Sequence, residues 1–193
     1  MTLAGDALQR AAALHQEAAA VLQLIRLEEL LRPFGPPVYG GSYFLDLMAY
    51  PDIDLYLPPL SISEVFTLAG RIAEVPQVIQ VVFERSNDPS LPGGLYLKPR
   101  IQVGGWGRPW KIDMWSLDAG LVEQIMAEMR HWKATMTAVQ RQRILRYKSS
   151  VLTKEGRTPK YSGYFIYKAV LDEGLEDFQQ VTDYLLQHGI KFG

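Results

Sequence analysis

Residues 52–57 read Asp-Ile-Asp-Leu-Tyr-Leu, and this stretch restricts the fold more than any other in the chain. Ile53, Leu55 and Leu57 alternate with Asp52, Asp54 and Tyr56, so a strand here carries apolar side chains on one face and acids on the other. Such a strand needs a core beneath it and something other than a core above it. Pro58-Pro59 ends it, and Ser61 with Glu64 forms a capping-box pattern ahead of Val65, Phe66, Leu68, Ala69 and Ile72, which predicts a helix to about Val75. Further strands are predicted at Val78–Glu84, Leu95–Val103 and Trp110–Trp115. The loops between them are rich in Gly, Pro, Asn and Asp, a spacing that suits antiparallel hairpins.

Before this region, Leu8, Ala11, Leu14, Ala18, Val21, Leu22, Ile25 and Leu30 recur at helical spacing and predict one amphipathic helix over residues 3–31. Pro33, Gly35, Pro36 and Pro37 stop it, Val38-Tyr39 is a short strand, and Ser42 to Leu47 allows a single helical turn. After the strands, Ser116 or Asp118 can cap a long helix running toward Arg146. Two closing helices, Tyr164–Glu173 and Leu175–His188, end at Gly174 and Gly189. This order predicts an α+β fold, a mixed sheet flanked by helices with a helical C-terminal part. Residues 1–32 form a helix packed on the core, 33–120 the core itself, and 121–193 the helical part. If its apolar face were exposed, the N-terminal helix would support a homodimer.

The composition, 48% hydrophobic and 21% charged, is that of a soluble globular chain. The absence of cysteine excludes disulfides, thiolate zinc sites and cysteine nucleophiles, and the histidines His15, His131 and His188 lie far apart in sequence. Any metal is therefore held by oxygen. With no run of about 18 apolar residues and no signal-like start, the chain reads as cytoplasmic, without a membrane partner.

Asp52 and Asp54 project to one side of their strand, with Cα atoms roughly 6.5–7 Å apart. Two carboxylates so placed repel each other unless a cation lies between them, and an all-oxygen set favours magnesium or manganese. Asp113, in a strand where Lys111, Asp113 and Trp115 share a face, can complete the set if the two strands are neighbours. Asp118 is better explained as a helix cap. Gly40-Gly41-Ser42 supplies a backbone without bulk and a hydroxyl at the start of a turn, where free amides attract phosphate. Trp106, Trp110 and Trp115 read as packing residues before they read as base-stacking ones.

Gly41-Ser42, nine intervening residues and Asp52-Ile53-Asp54-Leu55 resemble the signature of the DNA polymerase beta-like nucleotidyltransferase superfamily. Asp46 departs from it, standing where relatives often carry a small residue. The resemblance implies that Asp52, Asp54 and Asp113 bind two magnesium ions, that Asp113 helps deprotonate the acceptor, and that Gly41 and Ser42 contact the triphosphate. It also implies the reaction: a nucleoside monophosphate passes from a nucleoside triphosphate to an acceptor hydroxyl with loss of pyrophosphate. At this length a small-molecule acceptor is expected, and the rival readings are a non-catalytic nucleotide-binding or antitoxin-like relative and a polynucleotide-modifying transferase.

Residues 130–160 hold nine Lys or Arg and one acid, a balance of +8 in a chain whose formal net charge is −1. Lys148, Lys154 and Lys160 are expected to hold the triphosphate and pyrophosphate. A nucleic-acid track is the less favoured functional alternative for this stretch.

Overall fold

The structure, a computed structural model, describes residues 3–192 of the chain. Helix α1 (Leu3–Leu24) buries Ala7, Ala11, Leu14, Ala18 and Val21, and a short α2 (Leu27–Leu31) follows it. The single helix expected over 3–31 is thus broken, at Arg26, whose φ is +52°. Ile25 and Leu27 are both buried, yet two residues on a straight helix point about 200° apart. The left-handed residue between them turns the chain so that both reach the core.

A 3-10 turn at Arg32–Phe34 leads into β1 (Val38–Gly40), α3 (Gly41–Phe44) and β2 (Asp52–Leu57). Then come α4 (Ile62–Ala73), β3 (Val78–Arg85), β4 (Leu95–Ile101) and β5 (Trp110–Ser116), followed by α5 (Ala119–Thr135), α6 (Ala138–Ser150), α7 (Ser162–Leu171) and α8 (Phe178–Gln187). The fold is the expected α+β mixed sheet with flanking helices. Its strand order is β1-β2-β5-β4-β3. The β3–β4 and β4–β5 neighbours are the antiparallel hairpins expected, β1 is antiparallel to β2, and β2 and β5 pair in parallel.

The caps behave as their sequences dictate. Ser61 and Glu64 form both bonds of the capping box on α4, and Asp118 accepts from the amides of Gly120 and Leu121 at the start of α5. The long helix expected toward Arg146 is two helices. Met136 is extended, and Thr137 with Gln140 forms a second capping box that opens α6. Gly174 (φ +65°) and Gly189 (φ +75°) lie where the closing helices end, as expected. The last helix begins at Phe178, later than its apolar pattern suggests, because Asp177 caps it.

Two apolar clusters hold the molecule together. One packs α1, α2 and α4 on a sheet face that includes Ile53, Leu55, Ile112 and Met114; the other joins the helices α5–α8 to Leu45 and Leu47. Helix α1 spans both, through Leu14, Ala18 and Val21 in the first and Ala7 and Ala11 in the second. Ala7, Ala11, Leu14, Ala18 and Val21 are therefore taken up within this chain, while Leu24 at the end of the helix is exposed. Each large side chain so buried contributes about 1.5–3 kcal/mol. From α1, Glu17 accepts the indole N–H groups of Trp106 (2.9 Å) and Trp110 (2.8 Å), which ties down the loop before β5 and makes these two tryptophans packing residues. Among the described residues no helix is long and apolar enough to cross a membrane.

Candidate active site

The parallel pairing of β2 with β5 brings the acids together. Asp54 stands opposite Asp113 and Asp52 opposite Lys111, all on the face turned away from the α4 side of the sheet. One oxygen from each of Asp52, Asp54 and Asp113 lies within 4.8 Å of the others. Asp118 is elsewhere, engaged as a cap. Gly41, on the neighbouring β1–α3 junction, has φ +55°, and a Cβ there would lie 1.9 Å from Asp54 Oδ2. Glycine is required at this point both for its backbone angle and for room beside the carboxylate. Ser42, the next residue, is buried.

Asp52 and Asp54 are far from comfortable as anions. Burial, then repulsion from Asp113, pushes Asp52 up to about 6 against the pull of Lys111. Burial and the repulsion of Asp52 and Asp113 hold Asp54 well above the usual carboxylate range. The main relief is Lys111, whose Nζ donates to Asp113 Oδ2 at 2.6 Å and lies 3.2 Å from Asp52 Oδ1. Burial would lower this ammonium, but the surrounding carboxylates hold it above its ordinary value. Asp52 Oδ1 lacks an aligned hydrogen-bond donor although it is buried. Tyr96 completes the arrangement by donating its hydroxyl to Asp113 Oδ1 at 2.6 Å.

Converging oxygens, mutual repulsion and a buried unsatisfied lone pair fit a divalent cation, and the hard oxygen set is the kind magnesium and manganese take. Lys111 Nζ lies between Asp52 and Asp113, so a cation taken up between these two carboxylates would compete with it.

The basic stretch of residues 130–160 is dispersed. Arg130, Arg141, Arg143 and Arg157 pair with Glu123, Asp46, Glu176 and Glu155. Lys148 comes closest to the acids: it is 2% exposed and donates to Leu47 O (2.6 Å) and Tyr167 Oη (3.0 Å). Burial lowers it to about 8, opposed by the field of Asp52 and Asp54. Lys154 and Lys160 are exposed on the loop after α6. Asp46, the departure noted in the sequence, accepts from Arg141 at 2.6 Å and so ties α6 to the α3 turn.

Sequence reasoning missed Tyr96, because its place beside Asp113 depends on the β4–β5 register. Alternation along β5 had already put Lys111 on the face of Asp113; its contact with Asp52 follows from the β2–β5 register, which pairs strands distant in sequence.

No family model matches the chain, and no curated protein matches it by sequence. Solved structures share its fold. A mutant of Cid1 poly(U) polymerase bound to MgATP superposes with a TM-score of 0.50 at 17% identity, over 69% of this chain and 41% of that one. Cid1 in a structure described for its RNA terminal uridylyl transferase activity gives 0.52 at 18%, over 81% and 46%. The non-canonical poly(A) polymerase complex GLD-2–GLD-3 gives 0.58 at 9%, over 88% and 57%. This chain thus spans about half the length of these neighbours.

Proposed function

The chain has the fold of the DNA polymerase beta-like nucleotidyltransferase superfamily, and from the acids set on that fold we propose that it moves a nucleoside monophosphate from a nucleoside triphosphate to an acceptor hydroxyl. The observation that carries this reading is the convergence of Asp52, Asp54 and Asp113, one oxygen of each within 4.8 Å, with a buried oxygen of Asp52 lacking a donor. Magnesium or manganese held there supplies charge neutralisation at the α-phosphate and at the leaving oxygen.

In this reading the residues divide the work. Gly41 leaves room beside Asp54 for a phosphate oxygen, and Ser42 offers its hydroxyl to the triphosphate. Lys148 directs positive charge at the same place from beneath, and Lys154 and Lys160 reach the outer phosphates from their loop. Tyr96 fixes one oxygen of Asp113, so that once Lys111 has moved aside the other is free to take the acceptor proton. The acceptor oxygen bonds to the α-phosphorus, the bond from that phosphorus to the bridging oxygen breaks, and pyrophosphate departs.

The second reading, a non-catalytic nucleotide-binding or antitoxin-like relative, would be favoured by a broken metal site. Here all three acids are present and converge. The small acceptor expected from chain length finds no support in the neighbours, whose descriptions name poly(U) and poly(A) polymerases. The test is incubation with α-labelled and, separately, γ-labelled nucleoside triphosphates, magnesium and a panel of hydroxyl acceptors. Label from the α position should join the acceptor while γ label leaves as pyrophosphate. Transfer of γ label, or neither transfer nor nucleotide binding, contradicts the proposal.

A further inference from the structure

The face that carries the carboxylates continues beyond them. Residues opposite each other on paired strands share a face, and the register runs Asp52–Lys111–Arg100–Gln80 in one row and Tyr56–Trp115–Tyr96–Glu84 in another. Lys98 lies between these rows by alternation along β4. Gln80 and Glu84 are exposed and Lys98, Arg100 and Trp115 are half-buried, so the β4–β3 half of the face is open to solvent.

Its chemistry is ordered in two files. One is cationic: Lys98 and Arg100 on β4, joined by Arg108 from the loop before β5, which lies 5.3 Å over the Tyr50 ring and donates to Gly156 O. None of these three has a carboxylate partner among the described residues, whereas five other arginines do. The Nε atoms of Arg100 and Arg108 are buried without any hydrogen-bond partner. The other file is aromatic. Trp115 packs against Tyr96 with centroids 4.5 Å apart, and Tyr96 reaches Asp113. Both files start at Asp113: Arg100 lies about one pleat, roughly 7 Å, to one side of its row and Tyr96 and Trp115 one pleat to the other, with Lys98 between them, its Nζ 5.4 Å over the Tyr96 ring.

We propose that this open half of the sheet face binds the acceptor, and that the acceptor is the 3′-terminal segment of a single-stranded polynucleotide. Its last base lies on Trp115, its 3′-hydroxyl at Asp113, and its phosphodiesters along Lys98, Arg100 and Arg108. A polynucleotide strand presents bases on one side and phosphates on the other, which is the division the two files offer. A polycationic small acceptor would instead need acids here, and on the open rows only Glu84, at the outer rim, is acidic. Two strand spacings from β5 to β3 give about 10 Å, room for two or three nucleotides. The proposal rests on the transfer reading for the role of the hydroxyl and names the acceptor for it.

The test is the anisotropy of a labelled tetraribonucleotide with the full chain, in chelator and without nucleoside triphosphate, so that binding is read apart from transfer. Three cations on phosphates predict a slope of log affinity against log salt of about −2. Lys98→Gln and Arg100→Gln should each weaken binding and reduce the slope by about 0.7. Trp115→Leu should weaken binding about tenfold and leave the slope unchanged. Thermal melts of the variants check that the fold is retained. The proposal is overturned if the tetranucleotide fails to bind, or if a nucleoside monophosphate binds as tightly. It also fails if Lys98→Gln and Arg100→Gln bind as the wild type while Arg143→Gln and Arg146→Gln do not. Calorimetry of magnesium and nucleoside triphosphate on the wild type reports separately on the transfer reading, which fails alone if only that binding is missing.

Discussion

Ile53, Leu55, Ile112 and Met114 face the helices α1, α2 and α4 and are at most 1% exposed; Asp52, Asp54, Lys111 and Asp113, from the same two strands, face the other way. One residue of displacement along the chain separates a packed core from a cluster of repelling charges. The apolar face gains stability from burial, whereas the acidic face gives some up, since Asp52 and Asp54 are pushed toward the protonated form. A sheet can therefore hold a strained site rigidly because its other face needs nothing from that site.

Substitutions one residue apart should separate these roles. Asp54→Asn is expected to lower nucleotidyl transfer by on the order of 10³, with an unchanged or raised melting temperature, because an anion leaves a repulsive cluster. Single-turnover transfer and thermal melts on the same preparation check both halves. Ile112→Ala should do the reverse, costing about 2–5 kcal/mol in denaturant unfolding while the residual folded protein keeps its metal affinity. If Asp54→Asn unfolds the chain, or Ile112→Ala does not destabilise it, the division between faces is wrong.

Lys111→Met sharpens the comparison within the acidic face. With no ammonium to displace, manganese should bind about tenfold tighter in calorimetry without nucleotide, and the metal-free protein should melt lower. Unchanged affinity would mean that Lys111 remains in place when the ion binds. The smallest effect is on pH dependence. Asp52 is raised to about 6, so the native metal-free chain holds this proton more tightly than the unfolded chain does. Stability from this group is complete below the ordinary carboxylate pKa, declines as pH climbs toward about 6, and is lost above it. Melts across that range should show the decline in the wild type and a weaker one in Asp52→Asn.

Much of this was legible in the residues. The alternation of Asp-Ile-Asp-Leu-Tyr-Leu marks both faces of β2, and the same reading of Lys111 to Trp115 places Asp113 correctly on β5. The hairpins and caps of α4 and α5 are local and could be read directly. Arg26 and Thr137 were harder: the first is a helix break made by a residue with no breaking tendency of its own, and the second is a cap hidden inside a helix-favouring stretch. Tyr96, which bonds Asp113, and Lys148, which lies in the field of Asp52 and Asp54, come from elements 17 residues or more away from these acids in sequence, and only the tertiary arrangement reveals them. Charge counting over residues 130–160 could not say which of those charges are paired, for the same reason: Arg130, Arg141, Arg143 and Arg157 meet local or interhelical acids.

The central claim is that the acidic face of β2 and β5 holds divalent cations beside a nucleotide. The most direct measurement is anomalous diffraction from crystals grown with manganese and a nucleoside triphosphate whose α–β bridge cannot be cleaved. One or two manganese peaks should lie among Asp52, Asp54 and Asp113, with the triphosphate beside Gly41 and Ser42 and Lys111 moved off Asp52. Nucleotide bound with no manganese peak among these carboxylates, and Lys111 still bridging them, would contradict it.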